Sequence, residues 1–410
     1  MDPPTHPTLK QIHHLDASSP NFHDQLVNAL HGQRYRGCMS NIEDGDLRWL
    51  VNYLDKTLDR LDPPSLAFRE CLHELRSICG TKTILPTSYT LSSDLTNIGP
   101  NPVASGGSGD VYLGTLGSSK VCVKRMRLHP HRSGDERRHT AIFYREAVMW
   151  KYWKHPNILP LLGVTIAPLQ LISNWMPGET LPRYIKKHPD TDRLGLLSDV
   201  AKGLGYLHSC NVIHGGIKGA NILVDDSSHV CIADFGHAMV IKDEGSVGSN
   251  LDELGITVRW TAPEVLDGGV FSKEADIFSF AMVMVEVFTD AVPFASGRDI
   301  TAMVAITRGR RPPRPKHSAV TGGLWTLMQR CWNQDPKLRP EAANVLQDLL
   351  ACNPPAWKKL IGHTLPTDER ISLITSIFSD HDEVGVLEYL SSGDARAFID
   401  MVDKVSIPTL

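Results

Sequence analysis

Cysteine is sparse and scattered in this sequence of 410 residues. The 8 thiols stand at Cys38, Cys71, Cys79, Cys122, Cys210, Cys231, Cys331 and Cys352, with no Cys-x-x-Cys pair. Metal ligation needs thiolates or imidazoles clustered at short spacing, and a disulfide framework belongs to short secreted chains. Neither device organises this chain, and free thiols in a reducing compartment are expected. A dominant charge sign is also missing. Lysine and arginine total 42 against 46 aspartates and glutamates, a formal net charge of -4, which argues against a general nucleic-acid binder. Long apolar runs are absent. The longest, Ile277 to Phe288, is too short to span a bilayer and contains Glu286, so it reads as a buried core helix. Met1-Asp2-Pro3-Pro4 opens no basic and apolar leader, so no signal peptide is expected. Repeats and low-complexity tracts do not stand out. These absences point to a soluble chain inside the cell, in the cytoplasm, with no membrane span and no nucleic-acid partner. Its 41% apolar and 21% charged residues suit an ordinary globular core.

The first stretch, Met1 to about Ile42, is rich in Pro, His, Ser and Asn without a sustained period, and reads as loop or weak helix. From Asp46 a helical stripe begins with Leu47, Leu50, Val51, Leu54, Leu58 and Leu61. Asp62-Pro63-Pro64 stops it and opens a second helix with Phe68, Cys71, Leu72, Leu75 and Ile78, which Gly80 is expected to end. The pair reads as a helical hairpin whose apolar stripe needs a partner, either within this chain or on another protein. A polar Ser/Thr-rich link from Thr81 to Pro102 follows. Beyond Pro355, the spacing of Ile371, Ile374, Ile377 and Phe378 behind a Thr367 cap predicts more helix, continued by Leu387, Leu390, Phe398, Ile399 and Val402.

The chemistry-bearing pieces lie between the link and the tail. Ala104-Ser105-Gly106-Gly107-Ser108-Gly109, followed by Asp110-Val111-Tyr112, is a glycine-rich turn between strand-like runs. Glycine lets backbone N–H groups approach phosphate oxygens, though alone such a turn is usually a plain hairpin. Val121-Cys122-Val123-Lys124 is an apolar strand ending in a lysine. Glu146 sits in a helical pattern with Ile142, Phe143, Met149 and Trp150. His214-Gly215-Gly216-Ile217-Lys218-Gly219-Ala220-Asn221 is a turn-rich loop before the strand Ile222-Leu223-Val224. Asp234-Phe235-Gly236 follows the run from Val230 to Ala233, and Ala262-Pro263-Glu264 precedes the helix with Asp276. Singly, each has a bland reading: a solvated strand end, a surface glutamate, a loop.

Jointly they occur once each, in the order and approximate spacing of the protein-kinase signature set. From about Leu95 to Leu350, roughly three-fifths of the chain, the sequence resembles a eukaryotic protein kinase domain. Lys218 in the Ile217–Leu223 run resembles the serine/threonine type. Arg259-Trp260-Thr261-Ala262-Pro263-Glu264 and Cys331-Trp332 resemble the tyrosine-kinase-like branch and its fungal expansion. The resemblance implies an α+β, two-lobed protein-kinase fold: a small antiparallel β lobe plus a large helical lobe, with helical N- and C-terminal extensions. The expected division is 1–94 for the N-terminal extension, 95–352 for the kinase domain and 353–410 for the tail.

The resemblance also implies ATP and Mg²⁺ as cofactors, and a protein substrate or signalling partner. Lys124 would contact the α- and β-phosphates and pair with Glu146, Asp234 would hold one Mg²⁺ and Asn221 a second. Ala104, Gly106 and Gly109 would cover the phosphates. Adenine would lie between Val111 and Cys122 above and Leu223 below, against the hinge Asn174-Trp175-Met176. Ser173, at the gatekeeper position, would leave the pocket behind it open to bulky ligands. Asp276, Glu264 and Arg339 match scaffold positions.

One departure bears on the chemistry. The family's loop reads His-Arg-Asp, whereas this one reads His214-Gly215-Gly216. The absent arginine normally answers a phosphorylated activation loop, so control by another route is implied. The absent aspartate is the base that accepts the substrate hydroxyl's proton. Asp225 and Asp226 lie beyond the following strand and are expected to point elsewhere. Transfer is therefore expected to be absent or strongly reduced, with Lys218 and Asn221 still in register. Three readings stand open: a nucleotide-binding pseudokinase acting by shape, an active serine/threonine kinase with a substitute base, and a decayed or misread codon at Gly216.

Overall fold

The computed structural model describes residues 3–16, 18–91, 95–106, 109–127, 135–241 and 257–352. The helices expected after Pro355 lie outside the described residues. Met1–Leu349 forms one compact unit, so the N-terminal helices and the region that follows share one body.

Five helices precede the sheet: α1 (Pro7–His13), α2 (Phe22–His31), α3 (Gln33–Ser40), α4 (Asp44–Leu58) and α5 (Leu66–Lys82). The first three decide the open reading of this segment, loop or weak helix, in favour of helix. Each is short, with Leu9 and Ile12 in α1 and Phe22, Leu26 and Leu30 in α2 at helical spacing, and these residues and Tyr35 are all buried. Short helices of this kind are held by tertiary packing rather than by propensity. Asp46 ties α1 to α4 by accepting from Thr5 N–H and His6 N–H at 2.6 and 2.9 Å. Ser65 caps α5 by accepting from Phe68 N–H.

Gly80 does not end α5, as its place in the sequence suggested. The helix runs on to Lys82 and stops at Thr83 in the left-handed region, φ 50°. Gly80 instead allows a close crossing, since a Cβ there would lie 2.3 Å from Arg145 Nε. Arg145 belongs to α6 (Asp135–Lys151), along which α5 packs. The hairpin's partner is therefore the helix that carries Glu146. Phe68 meets the rings of Tyr152 and Trp153, each at 5.9 Å, just past the end of α6.

The small lobe is a six-stranded antiparallel sheet. Its strands are β1 (Leu95–Thr96), β2 (Ala104–Gly106), β3 (Gly109–Leu116), β4 (Ser119–Arg125), β5 (Leu161–Ile166) and β6 (Leu169–Asn174), in the order β1-β3-β4-β6-β5 with β2 on β3. The two-residue period of β4 divides its side chains. Val121 and Val123 are fully buried with Ile172, while Cys122 and Lys124 lie on the opposite face, half-buried.

The large lobe is helical: α7 (Leu181–Lys187), α8 (Arg193–Ser209), α9 (Pro263–Leu266), α10 (Lys273–Thr289), α11 (Asp299–Thr307), α12 (Gly322–Cys331) and α13 (Ala342–Cys352). The apolar stretch from Ile277 lies in α10 and is almost wholly buried. Between α8 and α9, β7 (Val212–Ile213) pairs with β10 (Met239–Val240), and β8 (Ile222–Val224) with β9 (Val230–Ile232). No helix among the described residues is long and apolar enough to cross a membrane, and no disulfide joins the cysteines among those residues.

Leu75 on α5 is completely buried. Leu75→Ala should cost about 2–5 kcal/mol in the same chemical-denaturation transition that reports the sheet. A separate early transition for residues 1–82, with the main transition unmoved, would contradict this packing.

Candidate functional site

Lys124 is the centre of the cleft. Strand β4 points its ammonium at two carboxylates: Nζ donates to Glu146 Oε1 at 2.8 Å and to Asp234 Oδ1 at 2.9 Å. Glu146 is almost fully buried on α6, and Asp234 is about a quarter exposed. Burial alone would push Lys124 toward neutrality. The two carboxylates outweigh it and raise its pKa, so the lysine stays charged. Burial raises Glu146, and Asp234 adds to the rise against the pull of Lys124. For Asp234, Lys124 overrides burial and holds the carboxyl well below the usual range. Asp234 sits in the left-handed region, φ 68°. Phe235 beside it is buried between Trp150 of α6, stacked at 6.0 Å, and His214, edge-on at 5.3 Å. This wedge keeps Asp234 turned toward Lys124.

The loop from His214 to Asn221 is held by its backbone. Asp276 on α10 accepts from His214 N–H at 2.8 Å and Gly215 N–H at 2.9 Å. His214 Nε2 faces the Ala233 carbonyl at 3.1 Å, which can only accept, so Nε2 carries the proton and Nδ1 accepts from Gly216 N–H at 3.2 Å. Burial lowers the His214 pKa, in keeping with this neutral form. Asn221 Nδ2 donates to the Gly216 carbonyl at 2.8 Å, and Lys218 Nζ donates to Thr257 Oγ1 at 3.0 Å. The predicted set Gly216, Lys218 and Asn221 is thus brought together.

No carboxylate replaces the missing side chain from nearby in the sequence. Asp225 is used in its own turn, accepting from Ser227 N–H and His229 N–H, and Asp226 is exposed. A Cβ at Gly216 would lie 3.3 Å from His237 Cδ2 and 3.5 Å from both Asn221 Nδ2 and His214 Cε1, and its backbone is outside the left-handed region. An aspartate fits if the His237 ring gives by a few tenths of an ångström. Gly215 differs: its φ is +69° and a Cβ would sit 3.0 Å from the His237 carbonyl, so a side chain there is strained.

The other predicted residues fall on the strands of the small lobe, on β8 and on the segment that leads from β6 to α7. Val111 on β3 stands opposite Lys124, and Cys122 stands opposite buried Ser173 on β6. Asn174 ends β6, and Trp175 and Met176 lead toward α7. Leu223 on β8 is half-buried while its neighbours Ile222 and Val224 are fully buried, so it too faces away from the core. Ala104, Ser105 and Gly106 pair with Val111, Asp110 and Gly109. Gly109 must be glycine, because a Cβ would lie 2.3 Å from the Arg125 carbonyl. Gly107 and Ser108 lie outside the described residues.

Residues 100–349 match the family described as protein tyrosine and serine/threonine kinase. This chain belongs to that family. It is 32% identical over 254 residues to serine/threonine-protein kinase STY46 of Arabidopsis thaliana, covering 60% of this chain and 42% of that one. It is 30% identical to serine/threonine/tyrosine-protein kinase HT1 of Arabidopsis thaliana, covering 60% and 64%. Tyrosine-protein kinase Fer of Rattus norvegicus is 32% identical, covering 61% and 30%. The chain thus spans less than two thirds of the length of these relatives.

The donor set of this kinase-family chain suits a hard cation. Asn221 spends its amide N–H₂ on Gly216 and keeps Oδ1 as an acceptor, and Asp234 Oδ2 carries no hydrogen bond among the described residues. No cluster of three or more His, Cys, Asp or Glu makes a protein-only cage among those residues. Mg²⁺ does not need one, since it keeps several waters and takes substrate phosphate oxygens beside one or two protein ligands.

Two residues escaped the sequence reading. His237 borders Gly216, and its signal was only its place directly after Asp234-Phe235-Gly236. Glu286 appeared as no more than an interruption of an apolar run. It is buried on α10, where Oε2 accepts from Gly219 N–H at 3.1 Å and Trp260 Nε1 at 3.0 Å. Burial pushes its carboxyl up to about 7. A folded-state pKa above the unfolded one means that the native state binds the extra proton. Stability is then full below the ordinary glutamate range and falls as pH rises toward 7. Glu286→Gln should gain stability relative to wild type across that window, by about 3 kcal/mol at most. Urea unfolding at pH 4.5, 5.5, 6.5 and 7.5 measures it; a pH-independent difference would exclude Glu286 as the source.

Proposed function

We propose that this protein binds Mg-ATP in the cleft beneath the glycine-rich turn, transfers phosphate weakly or not at all, and acts in signalling as a pseudokinase scaffold or allosteric regulator. One observation carries this reading: Lys124 is seated between Glu146 and Asp234, while Gly216 leaves the base position without a side chain. In this reading Lys124 holds the α- and β-phosphates, Asp234 and Asn221 supply metal ligands, and Val111, Cys122 and Leu223 clasp the base against 174–176. The bound cation's contribution is to neutralise phosphate charge. Nothing in the loop takes the substrate proton, and a positioned base is worth about 10²–10⁴ in rate.

A second reading, an active serine/threonine kinase with a substitute base, has one observation in its favour. His237 borders this position, its buried Nδ1 has no hydrogen-bond partner among the described residues, and burial lowers its pKa, which favours the neutral ring. If it serves, wild-type turnover falls on His237→Ala.

Two measurements test the main reading. Millimolar Mg-ATP should raise the melting temperature of the wild-type protein, because a ligand that binds only the folded state stabilises it, and Lys124→Met should abolish the shift. A folded wild-type sample with no shift would sink nucleotide binding. Gly216→Asp should raise phosphoryl transfer, read with autophosphorylation and ATP hydrolysis, by at least ~10²-fold. Wild-type turnover in the ordinary kinase range of about 1–100 s⁻¹ would overturn the pseudokinase assignment.

A further inference from the structure

The N-terminal helices do more than cover an apolar stripe. Asp55 of α4 is 2% exposed and lies at the far end of the helix that carries Glu146. It forms an ion pair with Lys151, the last residue of α6. Its Oδ1 also accepts from Tyr152 OH at 2.7 Å, and its Oδ2 accepts from Ser88 Oγ at 2.6 Å. Lys151 donates to the same Ser88 hydroxyl at 2.6 Å and lies 4.2 Å from the centre of the Tyr89 ring. Tyr89 OH in turn donates to Tyr152 OH at 3.2 Å inside the core.

The segment behind this network is fixed on both sides. Asn52 of α4 accepts from Thr87 N–H and Oγ1, at 2.9 and 2.8 Å. Leu91 N–H donates to the Val164 carbonyl of β5. One buried carboxylate therefore joins α4, the link to the sheet and the C-terminal end of α6. The mid-part of α6 is held by a second contact, where Arg145 crosses α5 at Gly80. Glu146 lies between these two anchors, one residue from Arg145 and five from Lys151. An α-helix is stiff over five residues, about 7.5 Å at 1.5 Å per residue, so fixing both points fixes the Glu146 carboxylate against Lys124.

We propose that α4 and α5 form a built-in clamp on the nucleotide site, and that Asp55 is its positioning residue, acting through Lys151 and Tyr152 to keep Glu146 on Lys124. The proposal rests on the nucleotide-binding reading above. It also provides the other route of control that the missing loop arginine at Gly215 calls for: the helix is held by the chain's own N-terminal segment and needs no phosphorylated loop.

The test uses the full chain. Asp55→Asn keeps the size of the side chain and removes its charge; Lys151→Met removes the partner from the more exposed side. Each should weaken Mg-ATP binding, measured by calorimetry, at least tenfold for Asp55→Asn and less for Lys151→Met. Each should also speed amide hydrogen exchange across residues 140–151 in nucleotide-free protein. A merely structural role would lower the melting temperature and leave both the Mg-ATP Kd and the exchange of α6 at wild-type values, and that result overturns the clamp. If Asp55→Asn does not fold, Lys151→Met decides by the same two readouts. If wild type itself binds no Mg-ATP, the nucleotide reading fails, and unchanged exchange in α6 separately rejects the clamp.

Discussion

Everything in the cleft depends on one ammonium group shared by two carboxylates. Lys124 reaches Glu146 and Asp234 at hydrogen-bond distance in a place where burial penalises all three charges. Such a cluster persists only if its geometry is fixed from outside, because a buried carboxylate that loses its partner is costly. Each member is brought by a different element: Lys124 by the period of β4, Glu146 by the position of α6, and Asp234 by a left-handed turn wedged in place by Phe235. One ammonium between two carboxylates, with Asp234 Oδ2 and Asn221 Oδ1 carrying no hydrogen bond among the described residues, is the arrangement behind the proposed cation site.

In the proposed reading, what Gly216 lacks is confined to a side chain. The backbone that would carry an aspartate is held by Asp276 and His214, and Lys218 and Thr257 are already joined beside it. Deeper in the lobe, Arg339 grips both oxygens of Glu264 at 2.6 and 2.8 Å. Glu286 fastens the loop at Gly219 to Trp260. Phosphoryl transfer is mostly positioning and electrostatics, so a fold can retain the machinery for holding a nucleotide while lacking the group that activates the acceptor. That separation is the physical basis for reading the protein as a binder rather than a catalyst.

The N-terminal helices tie stability to the site. Their leucine stripes would not survive alone in water, and they are buried on the very helix whose placement sets the Lys124 cluster. Asp55 concentrates that coupling in one carboxylate. A kinase-family domain with no arginine at Gly215 thus carries its own means of holding α6.

The sequence alone determined the kinase pattern and the fold class, because period and order are local properties. A two-residue period put Lys124 and Cys122 on one face of a strand. The helical stripe announced α4 and α5, and the succession from the glycine-rich turn to Ala262-Pro263-Glu264 marked the lobes. It also raised the expectation that Gly216 stands at the base position. Only the tertiary structure decided the rest. Pro7–His13, Phe22–His31 and Gln33–Ser40 are helices because packing, not propensity, stabilises such short segments. Gly80 became a crossing point rather than a helix end because Arg145 needs the space. The roles of Asp55, His237 and Glu286 depend on neighbours 96, 21 and 67 residues away, and contacts across such distances leave no period or spacing in the sequence to read.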